Sequence, residues 1–166
     1  MLKVTAAVLL AAVCTTPADG QTIDAALRKQ LETLATMVSE GYGRYEGPDA
    51  VKRGATNTPF ADRTVALFSL KDSGGGNGWA RQFLVVLQRN DPGIRFPDGR
   101  APRAYSLLAL VQTGDDFDRF FGQIELRGER IVLKGARWAK DDAHCCPTLE
   151  ATTTYRLDAH GLNEVR

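Results

Sequence analysis

A change of period near residue 62 constrains this chain more than any other feature of its sequence. Upstream, Leu27, Leu31, Leu34 and Val38 recur at the spacing that lines one face of a helix. Downstream, apolar residues alternate with polar ones, or run together over strand-length segments bounded by turn residues. The core must therefore be closed mainly by β-strands, with one amphipathic helix available to cover them.

The helix is predicted over residues 22–41, with Thr22 as N-cap and Gly41 and Gly43 ending it. Gly41, Gly43, Gly47, Pro48, Gly54 and Pro59 then break up 41–62, which reads as a connecting segment with a short strand around Tyr45. Residues 64–70 are apolar on both faces, as an interior strand requires. Residues 79–89 place Trp79, Phe83, Val85 and Leu87 on one side, and 104–112 form a third run. Phe120, Gly122, Ile124 and Leu126 alternate with Phe121, Gln123, Glu125 and Arg127, which predicts a half-exposed strand.

Arg127-Gly128-Glu129 makes a hairpin turn into 131–138. Residues 152–157 alternate again, and Asp158-Ala159-His160-Gly161 leads to a last strand over 162–165. The expected fold is α+β, an N-terminal helix packed on an antiparallel β-meander of six to seven strands. It forms a single domain, with the helix and connecting segment in 21–62 and the sheet in 63–166.

The first twenty residues follow a different logic. Met1-Leu2-Lys3 carries one positive charge, 4–13 is apolar apart from Thr5, and Ala18-Asp19-Gly20 ends the segment on small residues. This is the layout of a secretion signal, too short to span a bilayer, with cleavage expected before Gln21. Cys14 opens a minor alternative, lipid anchoring, but the preceding Ala11-Ala12-Val13 lacks the Leu and the Gly or Ala that such sites favour. A periplasmic or secreted protein is expected. Losing Lys3 and Asp19 together leaves the net charge at +1. A balance this close to zero, without basic runs, predicts no footprint for nucleic acid or anionic lipid. No later apolar stretch is long enough to cross a membrane as a helix, so the mature chain is expected to be soluble.

Asp141-Asp142-Ala143-His144-Cys145-Cys146-Pro147-Thr148 is the most specific local feature. In an oxidising compartment Cys145 and Cys146 are the thiols left to the mature chain. Neighbouring Cα atoms lie about 3.8 Å apart, closer than an ordinary disulfide spans, so a bond between them closes a strained ring. A structural disulfide or thiol pair that stiffens the turn before the next strand is the favoured role. A soft-metal site for copper or zinc, built from His144, Cys145, Cys146 and Asp141, is the alternative. Structural zinc sites, however, separate paired cysteines by two to four residues. A redox role is the third option, without the C-x-x-C spacing that supports one.

Other segments carry little chemistry. Residues 113–118 lack the frame of a calcium loop, and the glycines of 72–78 lack the Lys and following helix of a phosphate cradle. Only His144 and His160 could serve as an imidazole base, and there is no Gly-x-Ser-x-Gly. No catalytic residues are assigned, and no cofactor is expected.

Asp141-x-x-His144-Cys145-Cys146-Pro147-Thr148, followed by Thr153-x-Tyr155-x-Leu157 and Leu162, resembles a group of exported bacterial proteins. These end in Asp-x-x-Cys-Cys-Pro-Ser/Thr and a threonine-rich strand, and the LppP/LprE lipoprotein type is similar. The resemblance spans residues 62–166 in layout. It implies an exported β-rich domain with a Cys-Cys-Pro turn. Only Asp62 stands where the look-alikes carry several aspartates before their first main strand. The function expected is a non-catalytic binding module with an unknown protein or small-molecule partner in the cell envelope. Loops 71–78 and 91–102 are its expected contact surfaces. A thiol-dependent or soft-metal function is the alternative.

Overall fold

The computed structural model describes residues 23–39, 43–71, 80–115, 118–143 and 146–165. Helix α1 (Ala25–Ser39) is followed by eight strands: β1 (Arg44–Arg53), β2 (Arg63–Lys71), β3 (Ala80–Arg89), β4 (Tyr105–Asp115), β5 (Arg119–Arg127), β6 (Arg130–Arg137), β7 (Leu149–Asp158) and β8 (Gly161–Val165). They form two four-stranded antiparallel sheets, β1-β2-β3-β4 and β5-β6-β7-β8. This corrects the expected fold. The fold is mostly β, a two-sheet arrangement with a short helix on one of its sheets, and not a helix laid on one meander of six to seven strands.

Two cores explain the layering. Leu27, Leu31, Leu34 and Ala35 of α1 pack on Ala66, Phe68, Leu70, Phe83, Val85 and Leu87. The opposite face of the same strands offers Val65, Leu67, Leu84 and Val86 to Phe121, Ile124, Ile131, Leu133 and Tyr155 of the second sheet. Strands β2 and β3 are thus covered on both sides, which is why they are apolar on both faces.

Residues 41–62 contain more structure than their punctuation predicts. β1 is ten residues long and forms an edge of the first sheet, with bulges around Pro48. An edge strand tolerates proline because one row of its backbone groups needs no ladder partner. The helix is shorter than expected and is capped by Asp24, whose Oδ1 accepts from Leu27 N at 2.8 Å. The expected cap, Thr22, lies outside the described residues.

The division into two sheets is made between β4 and β5. A Cβ on Gly114 would stand 1.9 Å from the carbonyl oxygen of Arg119. Only glycine lets the two backbones approach this closely, and the chain folds over onto the inner face instead of extending the first sheet. β5 then carries a bulge between Phe121 and Gln123. The bulge turns Phe121 inward together with Ile124, while Phe120 is only half-buried. Strict alternation puts Phe120 and Ile124 on one face and Phe121 on the other.

Candidate functional site

The Cys-Cys-Pro segment is held by Asp142. Its Oδ2 accepts from Ala139 N at 2.7 Å and Thr148 N at 2.8 Å, and its Oδ1 accepts from Thr148 Oγ1 at 2.8 Å. These bonds, led by that from Ala139, hold the Asp142 carboxyl below its usual pKa. Cys146 N donates to Ala143 O at 2.9 Å, and Trp138 Nε1 donates to the same carbonyl at 3.3 Å. One carboxylate therefore ties the two ends of the turn together. Cys146 is exposed. His144 and Cys145, on which both the structural pair and the metal alternative depend, lie outside the described residues, and Asp141 is exposed. Among the described residues no group of three or more His, Cys, Asp or Glu side chains is placed to hold a metal ion.

A part-buried polar network centred on Gln82, not anticipated from sequence, joins the two sheets. Gln82 is 1% exposed. Its Nε2 donates to Phe121 O and to Asp49 Oδ2, both at 2.8 Å, and its Oε1 accepts from Phe121 N at 2.8 Å. Nearby, Arg119 donates to Thr113 O at 2.9 Å, to Thr153 Oγ1 at 3.0 Å and through two nitrogens to Glu164. The bonds it donates to Glu164 raise the Arg119 pKa, and the guanidinium lies 5.6 Å from the Phe121 ring centre. The bonds between Gln82 and Phe121 and between Arg119 and Thr113 run from one sheet to the other, so the network braces the sheets. The one available signal was a lone Gln inside the apolar run of β3.

The loop over 90–104 offers an outward surface. Its base is closed by Asn90 N donating to Ala104 O at 2.9 Å and by Asn90 Nδ2 donating to Arg103 O at 2.6 Å and Ser106 Oγ at 2.8 Å. Asp91 Oδ1 accepts from Gly93 N at 2.7 Å, and Ile94 N donates to Asp91 O at 3.2 Å. A second turn has Phe96 N donating to Arg100 O and Gly99 N to Phe96 O, with Asp98 paired to Arg100. Arg95 Nη1 donates to the carbonyls of Pro92 and Ile94. Despite this internal bracing, Ile94 is 54% exposed and Phe96 49% exposed. The other expected contact loop, 71–78, lies outside the described residues beyond Lys71.

Two remaining sequence candidates have local roles. Asp62 adopts φ 58 in the turn before β2, accepts from Arg89 N at 2.7 Å and pairs with the Arg89 side chain. His160 is exposed in the β7–β8 turn, where its N–H donates to Asp158 Oδ1 at 2.8 Å. No helix among the described residues is long and apolar enough to cross a membrane. No family model, curated protein or solved structure matches this chain.

Proposed function

We propose that this protein is a non-catalytic binding module of the cell envelope that uses the 90–104 loop as its contact surface. One observation carries this reading: a loop fastened by its own hydrogen bonds holds Ile94 and Phe96 out in water. Exposing large apolar side chains is unfavourable by roughly 25 cal/mol per Å². A loop ordered in advance also loses little conformational entropy when it meets a partner. The secretion-type leader supports an envelope location.

The test compares the wild type with an Ile94→Ser/Phe96→Ser double variant in capture from envelope extract. Both side chains are exposed, so the variant is expected to melt at the wild-type temperature and to lose whatever the wild type retains. An unchanged capture profile would remove the loop from the binding surface.

A further inference from the structure

We infer that the 90–104 loop is a membrane-contact element, in which Ile94 and Phe96 enter the interfacial layer of a bilayer while Arg95 and Arg103 face the phosphates of anionic lipids. This rests on the same loop being the contact surface, and it adds the chemistry of what the loop meets.

The apolar groups are concentrated. Six large apolar side chains are exposed among the described residues, and four of them, Ile94, Phe96, Leu107 and Leu108, fall within 94–108. Leu107 and Leu108 belong to the start of β4, directly after the loop, on an edge strand bulged at that point. The cations there are under-compensated. Asp98 is paired with Arg100, and Asp91 caps its own turn. Among the described residues neither Arg95 nor Arg103 has a carboxylate partner. The chain as a whole is close to neutral, yet this end of it offers guanidinium groups beside apolar tips.

Charge complementarity selects the occupant. Apolar ends reach the acyl boundary while the Arg95 guanidinium between them, which in the free loop donates to the Pro92 and Ile94 carbonyls, turns to the phosphate layer, as basic residues do in interfacial segments. The direction of the chain agrees. Asp24 Oδ2 accepts from Tyr105 Oη at 2.7 Å and from Arg53 Nη2 at 3.1 Å, so α1 begins at the same end of the first sheet as this loop. A bilayer meeting that end meets both.

Vesicle flotation of the full chain tests this, using phosphatidylcholine vesicles with and without phosphatidylglycerol, at low and at high salt. All variants keep the same N-terminus, so differences between them report the loop. Wild type is expected to float with the anionic vesicles and to be released by salt. Arg95→Gln and Arg103→Gln are each expected to weaken the partition about fivefold, and Ile94→Ser/Phe96→Ser by about tenfold or more. Equal binding to neutral and anionic vesicles, or loop variants that float like wild type, would overturn the inference. If those variants still lose a protein captured from extract, the contact surface stands and only its lipid occupant falls. If neither vesicle binding nor capture depends on the loop, both readings fall.

Discussion

The side-chain amide of Gln82 in β3 satisfies both backbone polar groups of Phe121 in β5, accepting from its N–H and donating to its carbonyl, each at 2.8 Å. It acts as one rung of a β-ladder between two sheets that otherwise meet through side chains. β5 is an edge of the second sheet, so the backbone groups it turns away from β6 meet no neighbouring strand there, and the glutamine pairs with those of Phe121.

Replacing Gln82 with Leu should therefore cost about 2–4 kcal/mol, because two buried backbone groups lose their partners while the added apolar volume cannot restore them. Urea unfolding measures the loss. A variant as stable as wild type would show that water or a shifted backbone can replace the amide.

Gly135 in β6 is a second point of close approach. A Cβ there would stand 1.9 Å from Phe120 O and 2.6 Å from Phe121 Cα, both backbone atoms. Gly135→Ala should destabilise the fold by about 3 kcal/mol or more. Gly122→Ala, where nothing lies within 4 Å, should have little effect. Thermal melts of the two variants separate these outcomes, and matching melting temperatures would contradict the packing around the bulge.

Alkaline stability should be limited by two tyrosines. Burial, reinforced by Glu32, pushes the Tyr45 phenol from 10.0 up to about 12. Burial with Glu164 does the same for Tyr155. Each folded-state pKa lies above the unfolded one, so the stabilisation is complete below pH 10.0 and is lost as pH rises through about 12. Melting temperature should fall across that window, and fall less steeply in Tyr155→Phe. Asp24 has the opposite sign. Burial works against its charge, but hydrogen bonds from Leu27 and Tyr105 and the charge of Arg53 prevail and lower its pKa below 3.8. Its contribution is present above that value and is lost as pH falls through the lowered one. Asp24→Asn should flatten the acid limb of the same titration.

Asp142→Ala should loosen the Cys-Cys-Pro turn while leaving the two sheets intact. Hydrogen exchange at the amides of Ala139 and Thr148, both of which donate to that carboxylate, is expected to accelerate strongly. Amides in β6 and β7 should keep wild-type protection. Unchanged exchange at Thr148 would mean that the turn is held by something other than Asp142.

Local patterning alone determined where most elements lie. The helical stripe of Leu27, Leu31 and Leu34 is buried against the first sheet, and strand-length runs mark β2 to β8, continuous where both faces are covered and alternating where the pleat leaves one face outward. β1 was obscured because Gly47 and Pro48 signal a break in isolation and are tolerated only on an edge, which is a property of the assembled sheet. Tertiary structure decided the rest. Periodicity does not state which strands pair, so neither the division into two sheets nor the close approach of Gly114 to the Arg119 backbone between them could be read from it. It does not reveal a one-residue bulge, so the inward turn of Phe121 and its pairing with Gln82 were hidden. Arg95 stands between Ile94 and Phe96 in the sequence, but that both apolar side chains are left exposed became visible only once the loop was folded.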